Sequence, residues 1–277
     1  MSLVPTFTAM RYVQPLREGG SLPAVVDTDG GRFVVKFRGA GQGAKALISE
    51  LIVGLLAREL GLAMPELALI QVPPPFGRSE PDPEIQDLLR ASHGVNIGLR
   101  YLDGAFNFEL SAARELVSPA FATRLVWLDA LVTNPDRTHK NPNLLVWERQ
   151  PWLIDHGAAL YAHHDWPNVD EARTRSPFPL IRDHVLLGET DDLQAVDAEY
   201  AALLSDHALA SILHAVPDDL LMDPAGGREF ASAEMARERY IRYLRERLRE
   251  PRVFVSSAVA ARTQVRPGEQ RPLSARR

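Results

Sequence analysis

Residues 136–157 read DRTHKNPNLLVWERQPWLIDHG, and this stretch says more about the fold than any other part of the chain. It contains two short runs with β-strand character, Asn143–Trp147 and Trp152–Asp155, separated by a polar turn near Glu148–Gln150. Two such runs around a short polar turn are typical of a β-hairpin. A polar loop, Asn134–Pro142, leads into the first strand. We therefore expect a hairpin whose open end carries several polar side chains.

The open end of this hairpin is predicted to gather oxygen ligands. A turn centred near Glu148 places Asn141 and Asp155 almost opposite each other, seven residues to either side. Asp136 lies five residues before Asn141, so it can reach the same end. Asp and Asn are also common turn formers, and any one of the three taken alone is more simply explained as structural. Together, an amide and a carboxylate oxygen suit Mg²⁺, and the remaining aspartate could accept a proton from a substrate.

Upstream of the hairpin, Lys36 ends the apolar run Phe33–Val35. With the period of two of a strand, Lys36 shares a face with Val34 and points away from Val35. A lysine in an apolar strand costs free energy unless its ammonium reaches water or an anionic partner, and a nucleotide phosphate is such a partner. Glu50, on the helix that follows, could hold the ammonium through an ion pair. The alternative is an exposed glutamate.

The chain before the hairpin predicts a small antiparallel sheet followed by helices. Asp29-Gly30-Gly31 separates two β-like runs, and glycine accepts the positive φ that a tight turn needs. Apolar residues recur with helical spacing from Ala44 to Leu60, which predicts a helix with one apolar face. Residues 109–134 are predicted to be helical, and the last helix is expected at Ala233–Glu250. The predicted strands are Ala9–Val13, Leu22–Asp27, Arg32–Phe37, Leu67–Val72 and Val95–Leu102.

Composition narrows the class of protein. The chain has 277 residues, of which 45% are apolar and 24% charged, as in an ordinary globular protein with one large domain or two lobes. The absence of cysteine excludes disulfides, thiolate metal sites and a cysteine nucleophile. The net charge of −5 does not suggest a nucleic-acid partner. No apolar run reaches the roughly 18 residues of a membrane span, and the N-terminus lacks a signal-peptide pattern, so we expect a cytoplasmic protein.

Several motifs, taken in order, resemble the protein-kinase-like superfamily. They are Phe33-Val34-Val35-Lys36, Glu50 in the following helix, Asp136–Asn141 and Leu153–Gly157. The set is most similar to the HipA-like kinases, which are distantly similar to phosphatidylinositol kinases. The similarity runs from about residue 11 to residue 187, which is most of the chain.

The resemblance implies an α+β, bilobal protein-kinase-like fold with ATP between the lobes. Residues 1–103 would form an N-lobe with an antiparallel β-sheet plus one helix. Residues 104–260 would form a mostly helical C-lobe with a catalytic β-hairpin. Residues 261–277 hold five arginines and one glutamate and have little apolar content, so they are predicted to be a disordered basic tail.

The resemblance also implies an ATP- and Mg²⁺-dependent kinase that moves the γ-phosphoryl group to a hydroxyl acceptor, such as Ser or Thr of a protein. Lys36 would contact the α/β-phosphates and Glu50 would orient it. Asp136 would be the catalytic base. Asn141 and Asp155 would bind Mg²⁺.

The remaining implied contacts are with adenine and phosphate. The hinge facing adenine would run from Leu99 to Asp103 and include Tyr101 and Leu102. A loop before the second strand could bring backbone N–H groups close to phosphate, although its sequence is also that of an ordinary turn. That loop is formed by Gly19, Gly20 and Ser21. In the bacterial toxin that gives the family its name, a serine of the phosphate loop is autophosphorylated. Ser21 is the nearest candidate here, whereas the toxin role itself is not expected to transfer.

Two positions depart from the pattern of common protein kinases, and neither removes a ligand or the base. His156 replaces the aromatic residue of the Asp-Phe-Gly motif, and Arg137 follows the base instead of preceding it. Three alternatives stay open: a fold that holds nucleotide without catalysis, transfer of AMP in place of phosphate, and a metal hydrolase. The last would use His156, His163, His164 and Asp165, but adjacent loop histidines lack the i, i+4 spacing that makes helical ligands converge. The acceptor could be a protein, a lipid or a small metabolite.

Overall fold

The computed structural model describes residues 3–16, 22–41, 43–78, 80–224 and 229–264. Five strands close into one sheet in the order β1-β2-β3-β5-β4. The prediction of an antiparallel sheet is wrong at one pair, because β4 runs antiparallel to β5 and can only close the sheet by lying parallel to β1. The strands are β1 Thr6–Pro15, β2 Ala24–Thr28, β3 Gly31–Lys36, β4 Leu67–Val72 and β5 Gly94–Arg100.

The two faces of this sheet belong to two different apolar cores. Val35 and Ile70 point to the inner face, where they pack with Val26, Phe33 and other side chains of the sheet. Leu67, Ile97 and Leu99 point to the outer face and pack against the helix that follows β3. Because side chains alternate along a strand, Lys36 lies on this outer face, as the sequence predicts.

Helix α1, Gly43–Glu59, is buried on nearly all sides from Leu47 to Ala57. The predicted single apolar face is therefore wrong. The helix packs on β5 and also contacts three helices of the second half of the chain, so it has no solvent-exposed side over these residues. Close approach is possible at Gly54, where an added Cβ would lie 2.8 Å from the Leu67 side chain. Helix α2, Pro83–Ala91, follows β4 and starts at an Asp82 cap.

The predicted hairpin is present and belongs to a three-stranded sheet of β6 Phe106–Asn107, β7 Leu144–Trp147 and β8 Gln150–Leu153. Its turn consists of Glu148 and Arg149, both with positive φ, so the hairpin is centred between them and not on Glu148. Positive φ at both central residues matches the right-handed twist of the flanking strands. One further bond, from Ile154 N to Asn143 O at 3.1 Å, extends the pairing to the open end.

Helices make up most of the remaining chain. The predicted continuous helix 109–134 is broken, because Ser118 caps a new helix through a bond from Phe121 N and Pro119 occupies its first turn. A last helix, absent from the predictions, extends to Gln264, so residues 261–264 of the predicted tail are helical. The rest of that predicted tail, residues 265–277, lies outside the described residues. The helices are α3 Leu110–Ala113, α4 Pro119–Leu131, α5 Glu171–Thr174, α6 Leu193–Leu203, α7 Asp206–His214, α8 Asp218–Leu221, α9 Ala233–Leu248 and α10 Val253–Gln264.

These helices surround one large core. Trp127 of α4 contacts Tyr200 and Phe254 edge to face, which joins α4, α6 and α10. The same core continues through α1 to the outer face of the closed sheet, so it links the two halves of the chain. None of the helices in the described part of the chain combines the length and the apolar character that a membrane span requires.

Candidate active site

Lys36 lies at the centre of a group of charges contributed by three distant parts of the chain. Its Nζ is 2.7 Å from Glu50 Oε2 and 2.7 Å from Asp155 Oδ1. The lysine comes from the end of β3, the glutamate from the middle of α1 and the aspartate from the segment after β8. Lys36 is 9% exposed and Glu50 is fully buried, whereas the Asp155 side chain is 40% exposed. The ammonium is thus held from the protein side by Glu50 and from the solvent side by Asp155.

The charge state of this group follows from the contacts. Burial by itself disfavours the ammonium, but the carboxylates of Glu50 and Asp155 outweigh it and raise the pKa of Lys36. Burial likewise disfavours the Asp155 carboxylate, but the neighbouring ammonium outweighs it and lowers the pKa of Asp155. Lys36 and Asp155 are therefore both charged near neutral pH.

Glu50 also fixes the backbone next to Asp155. Its Oε2 accepts a second bond, from His156 N at 2.7 Å. Asp155 itself has a positive φ of 54°, and its Oδ1 accepts a bond from Gly157 N at 3.3 Å. A non-glycine residue in this left-handed region is strained and needs surrounding contacts to hold it there. The bonds to Glu50 and Lys36 supply them.

Asp136 is oriented by two asparagines of its own loop. Its Oδ2 accepts a bond from Asn141 Nδ2 at 2.8 Å and one from Asn143 Nδ2 at 3.0 Å. The loop between them is closed by reciprocal backbone bonds of Thr138 and Asn141, at 3.0 and 3.1 Å. Within the described part of the chain, Oδ1 of Asp136 makes no hydrogen bond. One carboxylate oxygen is thus fixed by the loop and the other is available to a substrate.

The two groups of residues lie at the same end of one hairpin. Asn143, which holds Asp136, pairs through its carbonyl with Ile154 N, the residue before Asp155. The Asp136 carboxylate is therefore presented at the same end of the hairpin as the Asp155 carboxylate and its partner, the buried ammonium of Lys36. Such a set can bind an anionic phosphate ester and deprotonate a hydroxyl group.

Comparison with known proteins points to one family. A sequence model described as HipA-like kinase matches residues 13–173, which is more than half of the chain. The protein belongs to the HipA-like kinase family. The match contains the hairpin and every predicted site residue. No curated protein matches this HipA-like kinase.

The fold agrees with that of a solved kinase. The crystal structure of the Helicobacter pylori proinflammatory kinase CtkA is similar to this HipA-like kinase with a TM-score of 0.55. The similarity covers 94% of this chain and 98% of CtkA at 12% sequence identity. At this identity the likeness concerns the fold alone.

The predicted hinge residues lie at the end of β5. Leu99 is buried between Val34 of β3 and Leu67 of β4, on the sheet face that carries Lys36. Tyr101 follows the strand, and its N–H donates to Arg32 O at 3.0 Å. Leu102 is half-buried, and its carbonyl accepts a bond from Ala105 N at 3.2 Å. Gly19, Gly20 and Ser21 lie outside the described residues.

Two histidines of the hydrolase alternative contact each other, with His163 Nε2 at 3.1 Å from His164 Nε2, and the other contacts of the set are with residues outside it. His156 Nδ1 is 3.2 Å from Arg137 Nη2, and His163 Nδ1 is 3.0 Å from the Tyr240 hydroxyl. Asp165 is paired with Arg173 at 2.5 Å. Where the chain is described, no three His, Cys, Asp or Glu side chains are grouped so that they could hold a metal ion. This geometry does not favour a histidine metal centre.

Sequence reasoning missed Asn143 as a site residue. The sequence Asn-Pro-Asn at residues 141–143 could have indicated this role, because a second asparagine amide in the same loop can reach the Asp136 carboxylate. It also missed the buried partner of Arg137, Asp129 on α4, at 2.6 Å. No local pattern marks that aspartate, because its partners Arg137 and His184 lie outside the helix that carries it.

Proposed function

We propose that this HipA-like kinase is an ATP- and Mg²⁺-dependent phosphotransferase that moves the γ-phosphoryl group to a hydroxyl acceptor, Ser or Thr of a protein. One observation carries the proposal. Lys36, Glu50 and Asp155 converge from three separate elements, and Asp136 is held at the same end of the hairpin that carries Asp155. Family membership and the fold of CtkA support the same function.

We assign residues 1–103, with the closed sheet and α1, as an N-lobe, and residues 104–260 as a C-lobe that contributes the hairpin. ATP would lie between them, with adenine at the segment Leu99–Asp103. The Tyr101 N–H is already bound to Arg32 O, so adenine would have to use other groups of this segment, Leu102 among them. We assign the phosphate contacts to Lys36 and to the loop with Gly19, Gly20 and Ser21.

The residues assigned to Mg²⁺ fit that ion by their chemistry. Asn141 donates through Nδ2 to Asp136, which fixes its amide and leaves the carbonyl oxygen available for a cation. The Asp155 carboxylate is ionised and partly exposed. Mg²⁺ is usually held by one or two protein oxygens together with substrate phosphates, and these two side chains supply that number. When bound, the ion would neutralise charge on the phosphates.

The other side chains have separate tasks. Lys36, kept charged by Glu50, would bind phosphate oxygens and hold the nucleotide in line with the acceptor. Asp136 would accept the proton of the acceptor hydroxyl on its available oxygen, while Asn141 and Asn143 keep the carboxylate oriented. Phosphoryl transfer asks mainly for such positioning and charge stabilisation from the protein.

Nucleotide binding and label transfer test the proposal together. ATP should raise the melting temperature of the parent protein only when Mg²⁺ is present. Asp155→Ala should lose this Mg²⁺-dependent rise. Asp136→Asn should keep it, because its amide oxygen can still accept the bonds from Asn141 and Asn143, and it is therefore the matched control. A parent protein without a Mg²⁺-dependent rise would contradict the proposal.

Labelled ATP then separates phosphotransfer from its alternatives. Label from the γ-position in a protein acceptor, released by acid hydrolysis as phosphoserine or phosphothreonine, is the expected result. Label from the α-position would indicate AMP transfer. Mg²⁺-dependent binding without transfer of either label would indicate an inactive nucleotide-binding module.

A further inference from the structure

A buried polar network lies beneath the loop and the hairpin end that carry the proposed site. We call it the Arg137 network, after the residue at its centre. All of its members are buried and none is a proposed ligand or base. The members are Asp129, Asn134, Arg137, His156 and His184.

Arg137 connects three segments through one planar group. Its Nε donates to Asp129 Oδ2 of α4 at 2.6 Å. Its Nη1 donates to the carbonyl of Asn143, and its Nη2 contacts His156 Nδ1 at 3.2 Å. Because a guanidinium can only donate, Nδ1 of His156 must accept this bond. Nη1 also lies 3.4 Å from the carbonyl oxygen of Ile154. The residues on both sides of Asp155 are therefore tied to the same side chain.

Asp129 anchors the network and extends it to Asp136. In addition to Arg137, it is bonded to His184 Nε2 at 3.0 Å and accepts a bond from Asn134 Nδ2 at 3.0 Å. Asn134 in turn accepts a bond from the backbone N–H of Asp136 at 3.1 Å. Burial opposes the charge of Asp129, but Arg137 and His184 outweigh it and hold its pKa well below the usual range.

Stability alone is a weak explanation for this arrangement. Replacing a buried ion pair by well-packed apolar groups is often neutral or stabilising, whereas removing one partner alone is costly. Arg137 also donates hydrogen bonds to backbone carbonyls at the open end of the hairpin. An apolar side chain could not make these bonds. The network thus contacts the backbone at Asp136 and the residues on both sides of Asp155.

We propose that Arg137 is a positioning residue that holds Asp155 and Asp136 in register for the bound Mg²⁺ and the acceptor. This inference rests on the proposed function. Outer contacts of this kind typically change metal affinity or activity by roughly 10- to 100-fold when removed.

The test uses a double variant, Arg137→Met with Asp129→Asn, which removes both charges and leaves no unpaired buried ion. The matched control is Arg252→Met with Asp197→Asn, which removes an ion pair of 3.2 Å between the segment before α10 and α6. Circular dichroism and thermal unfolding establish that both variants fold. We expect the Mg²⁺ concentration for half-maximal nucleotide stabilisation to rise by about 10-fold or more in the first variant only. Without Mg²⁺, ATP should raise the melting temperature of neither double variant.

Amide hydrogen exchange adds a readout that does not depend on nucleotide. Exchange at residues 141–143 and 154–157 should become faster in the Arg137 double variant and stay at the parent rate in the control. If the parent needs Mg²⁺ for nucleotide stabilisation and the Arg137 double variant needs the same concentration, the inference is wrong while the proposed function stands. Unchanged exchange at both segments would overturn the inference whatever the nucleotide result. A parent without Mg²⁺-dependent binding counts against the proposed function and leaves exchange to decide the positioning role.

Discussion

The two ion pairs of Lys36 should contribute very differently to stability. Glu50 is fully buried, so Lys36→Met leaves its carboxylate without a cation in a dry environment. Breaking a buried pair in this way costs about 3–5 kcal/mol, and removing both partners restores much of that loss. The coupling free energy between Lys36 and Glu50 should therefore be on the order of 2–3 kcal/mol. The Asp155 side chain is 40% exposed, so solvent screens its pair, and the coupling should be about 1 kcal/mol or less.

Two double-mutant cycles measure these values. They use Lys36→Met with Glu50→Gln and Lys36→Met with Asp155→Asn, each single and double variant being unfolded in urea without nucleotide or Mg²⁺. A third cycle on the exposed pair Arg245 and Asp206, 2.8 Å apart, serves as the reference for a surface ion pair. Coupling to Asp155 that equals or exceeds coupling to Glu50 would refute the reasoning. Coupling between Lys36 and Glu50 no larger than that of the surface pair would also refute it.

Two further predictions concern the base and a buried histidine. Asp136→Asn keeps an acceptor oxygen for Asn141 and Asn143, so it should lower kcat by roughly 10²- to 10⁴-fold, the range of a general base, with little change in the dissociation constant of Mg²⁺-ATP. Phosphate transfer under single-turnover conditions measures this, and the parent rate in the variant would exclude Asp136 as the base. Burial holds the pKa of His163 well below its usual value, so the unfolded chain binds the extra proton. Stability should therefore be complete above about pH 6.5 and fall as the pH drops below it, by up to roughly 1.4 kcal/mol per pH unit for this group. Urea unfolding at several pH values should show a smaller slope in His163→Gln, and an identical slope would contradict the assignment.

Local sequence patterns were sufficient for the parts of the fold that repeat with a fixed period. Alternation along β3 correctly placed Lys36 opposite Val35, and the polar turn correctly placed the hairpin. Spacing from that turn also placed Asn141 and Asp155 towards the same end of the hairpin. These features depend only on residues that are close to each other along the chain, and the sequence pattern is therefore sufficient to predict them.

Other features depend on partners far away in sequence. The parallel pairing of β1 with β4 follows from closure of the whole sheet, and no residue in either strand encodes it. The apolar residues of α1 recur with the spacing of a helix that has one apolar face, but neighbouring elements bury the helix on nearly all sides. For the candidate site, the sequence could indicate which charged residues to consider. Their distances, and the support of Asp129 beneath Arg137, required the tertiary structure.

The burial of α1 on every side has a consequence for regulation. Withdrawal of Glu50 from Lys36 by a movement of the whole helix would take large aliphatic side chains, among them Leu47, Leu51 and Leu55, out of their packing. Each costs about 1.5–3 kcal/mol to expose, so an inactive state reached by swinging this helix outward would be scarcely populated. Control of such an enzyme would instead act on the solvent side of the ammonium, through occupancy of the cleft or supply of the acceptor.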